Sequence, residues 1–357
     1  MSATVSSFLG ANTPMGFVSF FDELYNPYEK CRAFIIKGGP GTGKSTLMKA
    51  VQKRAEEKGY FTECALCASD PKSLDGVMVP ELSLSIADGT SPHVLEPRFP
   101  GASESIINTG EFWNGERLFE RAEEIRSLTL ENSLQHRRSS AYLSAAGKLF
   151  SENRRILSGY VNTEKIYSYA LRFTNRELPK ISDCPGKKKR RFLSAISPDG
   201  RVFLSDTVKK QAYRLIGVAD EYGAVASMLV DRIGELAVKR GYDVVFCYCP
   251  MSPKGECEHI IIPKAGIALI SERRSHRTNL SYDRMIHEKR FLYEGSEKYK
   301  KRLFFNRKLQ NELVSESIEC LKKAREVHDS LEKIYVENMD FIALSQLAQK
   351  IADDFVR

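Results

Sequence analysis

The chain has 357 residues, 42% hydrophobic and 28% charged, with a formal net charge of +8; this balance excludes a disordered or fibrous chain and leaves room for two cores. No run of about 18 apolar residues occurs, and the opening MSATVSSFLGANTPMG lacks the charged and apolar blocks of a secretion signal. Eight cysteines in so long a chain do not make a disulfide scaffold, so the expectation is a cytoplasmic protein with no membrane insertion.

In chain order, the first predicted strand spans 33–37 and runs directly into Gly38-Gly39-Pro40-Gly41-Thr42-Gly43-Lys44-Ser45-Thr46. A helix is expected over 44–58, with Leu47, Val51 and Ala55 at helical spacing. Gly38, Gly43, Lys44 and Ser45 have the spacing G-x-x-x-x-G-K-[ST], in which successive backbone N–H groups wrap one phosphate. Gly39, Gly41 and Gly43 remove side chains where the backbone must approach closely, and Pro40 stiffens the turn. Lys44 reaches the outer phosphates, Ser45 offers a hydroxyl to Mg²⁺, and the helix N-terminus and Thr46 add donors. The expected ligands are ATP and Mg²⁺, with Gly38 to Thr46, Thr42 included, as the binding segment.

A second strand over 60–67 follows, then Val77-Met78-Val79 and the run Leu82, Leu84, Ile86 ending at Asp88. The strand, helix, strand order predicts a parallel sheet with ligands at the carboxyl ends of its strands. A phosphate site of this kind needs a carboxylate near Mg²⁺ or its water. Asp88, following an apolar strand, is the first candidate and Glu81 the reserve. Asp70 and Asp75 lie where an acceptor hydroxyl could be held, but read more simply as turn and cap residues. His93 has a counterpart in His276 and reads as structural. Arg98, Arg137 and Arg138 read as solvated arginines. Cys64 and Cys67 point to opposite faces of a strand, and Cys247, Cys249 and Cys257 read as buried strand residues rather than zinc ligands.

After an irregular passage from Ser91 to Gly115, helices carry Leu118, Ala122 and Ile125, then Tyr142, Leu149 and Ile156. Near the end of the chain Leu309, Leu313, Cys320, Ala324, Val327, Leu331 and Ile334 again share one helical face. Between the halves, Asp183-Cys184-Pro185-Gly186 and five basic residues, Lys187 to Arg191, read as a solvated linker, with polyanion contact the minority reading.

The two halves echo one another. Phe8 to Gly16 matches Phe192 to Gly200, and Arg54 to Tyr60 matches Leu236 to Tyr242. Pro80 matches Pro263, Ser91-Pro92-His93 meets Arg274-Ser275-His276, and Gly159 to Asn162 matches Ile334 to Glu337. The expected organisation is an α/β domain with a helical arm over 1–182, a basic linker over 183–191, and a second α/β repeat with C-terminal helices over 192–357. The same alignment sets Ala226 opposite Lys44, Ser227 opposite Ser45, Gly223 opposite Gly41, and Asp220 and Glu221 opposite Gly38 and Gly39. Carboxylates would stand where phosphate oxygens belong, so the second loop is expected to bind no triphosphate.

The segments FIIKGGPGTGKSTLMK, Ala68 to Pro97 and EKIYVENMDF resemble a bacterial family of tandem-repeat P-loop ATPase-like proteins, and the resemblance covers most of the chain. It implies two P-loop folds and ATP binding, and no particular substrate. Relatives often keep both loops, whereas this chain keeps one. Three functions are consistent with these residues: an ATPase that switches its helical arms, a kinase serving a nucleotide or small-molecule acceptor, and an ATP-dependent module for nucleic acid or another polyanion. The ATPase is favoured.

Overall fold

In the computed structural model, which describes residues 4–273 and 276–356, the first half runs β1 (Val5–Phe8), the hairpin β2 (Gly10–Thr13) and β3 (Gly16–Ser19), β4 (Arg32–Lys37), α1 (Lys44–Glu57), β5 (Glu63–Leu66), β6 (Leu74–Val79), β7 (Leu84–Asp88), β8 (Glu104–Asn108), α2 (Gly115–Glu120), α3 (Ala122–Ser158) and α4 (Thr163–Glu177). Six strands form one sheet in the order β1-β5-β6-β7-β4-β8. β4 lies parallel to β7 and β8, and β1 parallel to β5. β6 is antiparallel to both neighbours, so the sheet is mixed, with the parallel pairs in the majority as a mainly parallel sheet requires. The reason is local: the turn at Pro80–Leu82 is too short for a crossover helix, and β7 must double back beside β6. The strand β8 falls inside the passage that composition marks only as irregular.

The second half continues with β9 (Lys188–Arg191), the hairpin β10 (Ser194–Ser197) and β11 (Gly200–Phe203), α5 (Ser205–Gln211), β12 (Arg214–Ala219), α6 (Ala226–Lys239), β13 (Val244–Cys249), β14 (Ser252–Ile262), β15 (Ile267–Glu272), β16 (Arg284–His287), α7 (Lys300–Val336) and α8 (Phe341–Phe355). Its sheet reads β9-β13-β14-β15-β12-β16 from one edge, with β14 antiparallel to both neighbours and the other pairs parallel. The halves meet through a reciprocal pair of hydrogen bonds at 2.9 Å, in which Phe8 and Phe192 each donate an N–H to the other's carbonyl. Both rings are fully buried there. Arg274 and Ser275, two of the residues matched between the halves, lie outside the described residues.

The expected linker is corrected by β9. Lys188 to Arg191 is an edge strand parallel to β13, and its charges are taken up within the molecule. Lys189 and Arg191 reach Glu63 at 2.5 and 2.9 Å, Arg190 reaches Asp22 and Glu23, and Lys188 reaches Glu235. Burial alone would raise the pKa of Glu63, but Arg191 and Lys189 hold it below the usual carboxylate value. A run whose cations are paired in this way is a poor polyanion patch.

α3 and α7, each about 55 Å long at 1.5 Å per residue, form an antiparallel arm. Ser139 and Ser317 touch at 2.8 Å between their hydroxyls, and Arg121 at the start of α3 meets Glu337 at the end of α7. The arm carries each half's last helix across to the other half. Ile166, Tyr169, Ala170 and Phe173 of α4 pack among Ile216, Leu229 and Ile233 of the second half. Conversely, Ala348, Ile351 and Ala352 of α8 pack against Ile36, Leu47, Met48 and Val51 of the first. The boundaries expected at 182 and 192 therefore divide the chain but not its cores.

Candidate functional site

The glycine-rich loop leaves the sheet at the carboxyl end of β4 and enters α1 at Gly43. Gly41 and Gly43 hold φ of +67° and +75°, a region costly for any residue with a Cβ. Thr42 closes the turn by donating its hydroxyl to the Gly39 carbonyl at 2.8 Å, and Thr109 donates to the Lys37 carbonyl. Among the described residues, the N–H groups of Gly41, Gly43 and Lys44 find no acceptor. Lys44 folds back, donating its ammonium to the carbonyl of Gly39 at 2.7 Å.

Parallel pairing of β4 with β7 sets Ile36 beside Asp88, which brings that carboxylate to 3.6 Å from the Lys44 ammonium. Its other oxygen accepts from the N–H and hydroxyl of Thr90, fixing its orientation. Ser45 sits at the first turn of α1 and accepts the Leu74 N–H at 3.0 Å, leaving a lone pair free for a metal. Thr46 is exposed and Pro40 is half-buried.

The segment 70–75, which leads into β6, passes close to Ser45 and changes the reading of two residues. Gly76 pairs with Ala87, so Asp75 lies next to Asp88, and it is buried. Burial first, and then the negative charge of Asp88, push the Asp75 carboxyl from 3.8 up to about 7. It lies beside the candidate carboxylate, where the sequence suggested a turn or cap residue. Asp70 takes hydrogen bonds from Ser73 and from Arg325 of α7, which hold its carboxyl below the usual value against partial burial. Glu81 follows β6 at the opposite end of the strands from the loop and accepts the Phe61 N–H, which removes it as the reserve carboxylate.

His93 stacks on Phe21 with ring centroids 4.3 Å apart, and neither of its nitrogens has a partner among the described residues. Burial lowers its pKa, with Asp88 opposing and Lys44 assisting. It is thus a packed ring within the field of the site. Arg98 lies over the Tyr28 ring, and Arg137 and Arg138 are exposed near the middle of the arm, so none of the three belongs to the site. The cysteines of β13 and β14 are buried in the sheet. Among the described residues no three His, Cys, Asp or Glu side chains converge on one point. Ser45 and Asp88 fit Mg²⁺, an ion that keeps several waters and takes only one or two protein ligands beside phosphate oxygens.

One part of the site was not anticipated. The back of the loop is covered by the second half: a Cβ on Gly39 would lie 2.9 Å from the Tyr335 ring, and one on Gly41 2.9 Å from the Glu332 carbonyl oxygen. The signal available in the sequence was the block EKIYVENMDF, which supplies this cover but whose destination no local pattern reveals.

The second loop is different inside. Gly223 repeats the positive φ of Gly41, at +73°. There, however, the Asp220 carboxylate accepts the N–H groups of Tyr222, Gly223, Val225 and Ala226 at 3.2, 2.8, 2.7 and 2.6 Å. Glu221 turns away to Arg307 at 2.7 Å. No family profile, curated protein or solved structure matches this chain.

Proposed function

We propose that the chain is a tandem-repeat P-loop protein that binds Mg-ATP at the first loop only and hydrolyses it there. The observation that carries this reading is the contrast between the two loops: among the described residues the N–H groups of Gly41, Gly43 and Lys44 find no acceptor, whereas those of Gly223, Val225 and Ala226 are already bonded to Asp220. In the first loop these groups would bind the phosphates, and Lys44 would exchange the Gly38 and Gly39 carbonyls for phosphate oxygens. Ser45 and Asp88 would hold Mg²⁺, which supplies charge neutralisation at the transferring group. Asp75, buried beside Asp88, would orient the attacking water.

Calorimetric titration with Mg-ATP, paired with ADP release, tests the proposal. The expected result is one nucleotide per chain, abolished by Lys44→Ala, and turnover without any added acceptor. A stoichiometry near two, or binding unchanged in Lys44→Ala, would refute it; turnover that depends on an added metabolite would replace the ATPase with a kinase.

A further inference from the structure

We infer that the second loop is still a working anion nest, with the chain's own Asp220 carboxylate as its resident ligand, and that a phosphate-sized oxyanion takes that place when the carboxylate is removed. Four N–H groups of one loop, from Tyr222, Gly223, Val225 and Ala226, converge on Asp220, which is 1% exposed. Such convergence is how a backbone nest holds phosphate, and a carboxylate offers it two of the same acceptor oxygens.

The cations around the nest point the same way. Arg273, 8% exposed, lays its guanidinium against Gly223, where a Cβ would sit 2.5 Å from it, and its Nε has no partner among the described residues. Arg154, from α3, donates to the Ser227 hydroxyl at 2.8 Å, at the position that Ser45 holds in the first loop. Of the neighbouring carboxylates, Glu221 pairs with Arg307 and Glu258 with Arg273, while Glu288 hydrogen-bonds Asp220 itself, so the test below is run with Glu288→Gln in every variant. Removing Asp220 therefore deletes the one anion on which the nest closes and leaves its donors buried and unsatisfied.

The inference concerns the second loop and does not depend on what the first one binds. Its test uses the full chain in a Lys44→Ala, Glu288→Gln background, so that the first loop contributes least, with inorganic phosphate as the probe and sodium chloride at matched ionic strength as the control. Asp220→Gly should lower the unfolding temperature in chloride and recover it saturably as phosphate is added in the millimolar range, with one phosphate bound per chain by calorimetry. The parent, whose nest is filled, and Asp220→Asn, whose side chain still fills the space although its NH₂ satisfies none of the donors, should not respond beyond the general salt effect. A folded Asp220→Gly protein indifferent to phosphate, or a parent that responds equally, overturns the inference. Should Asp220→Gly not fold in chloride, refolding in phosphate decides: recovery there supports the nest, and failure in both media overturns it.

Discussion

Replacing Gly41 by alanine tests the contact on which the first loop's geometry rests. Two costs add at this position. An L-residue at φ +67° loses roughly 1–2 kcal/mol to left-handed strain, and the new methyl would stand 2.8 Å from the Glu332 side chain, 2.9 Å from its carbonyl oxygen and 2.9 Å from Val336. Overpacking of that kind costs about 1–3 kcal/mol, so Gly41→Ala should destabilise by about 2–5 kcal/mol in all. Gly59 provides the control, because its φ is +83° with nothing within 4 Å of a built Cβ. Gly59→Ala should therefore show the strain alone, about 1–2 kcal/mol. Urea unfolding of both variants without nucleotide gives the difference, which is the energy of the α7 contact. Val336→Ala should return part of it to Gly41→Ala and none to Gly59→Ala, a coupling that a mutant cycle resolves. If Gly41→Ala costs no more than Gly59→Ala, α7 does not cover the loop in solution and the reasoning fails.

Asp88→Asn should leave Mg-ATP affinity within a few fold and cut turnover roughly a hundredfold or more, as loss of a metal-positioning carboxylate does; undiminished turnover would transfer the role to its neighbour Asp75. Acid stability should depend on His259, which is fully buried, accepts the Ser271 N–H at Nδ1, and is driven by burial from 6.5 down to about 4. A depressed imidazole stabilises the fold above pH 6.5 and loses that contribution as pH falls toward 4, on the order of 3 kcal/mol in all, so His259→Asn should flatten urea midpoints between pH 7 and 4, and an unchanged slope would exclude this group. A protein truncated to residues 1–182 should bind a hydrophobic dye and unfold without cooperativity, because the surface covered by Ala348, Ile351 and Ala352 is bared; a soluble monomer with a sharp transition would contradict the exchange of helices.

The strand, turn and helix around Gly38 to Thr46 were legible because the information is local: a strand, a glycine run and a helical stripe are contiguous. Asp220 was legible for the same reason, as a carboxylate aligned to a glycine of the other loop, although its neighbour Glu221 pairs elsewhere. Pairing direction was not. Val77 to Val79 and Leu84 to Ile86 announce strands, and only the shortness of the turn at Pro80 makes them antiparallel. The basic run misled because its partners, Glu63, Glu23 and Asp22, lie in the other half, beyond the reach of any local pattern. Asp75 was passed over for a similar reason, since its position beside Asp88 follows from sheet register. The stripes on α4 and α8 showed that one face is buried without showing against which sheet.

The crossing of α8 onto the first sheet has a consequence for biosynthesis. A nascent chain is made from its N-terminus, and domains ordinarily fold as they emerge. Here the strands and α1 around the glycine loop leave the ribosome long before the segment that covers them, since Tyr335 and Leu344 follow the whole second sheet in chain order. Until that segment arrives, the cluster of Ile36, Leu47, Met48 and Val51 lacks α8, and the loop has no backing. A ribosome that stalls midway would release a chain with every residue of the glycine-rich loop and none of its support, so any function proposed for that loop would require translation to have passed through α8.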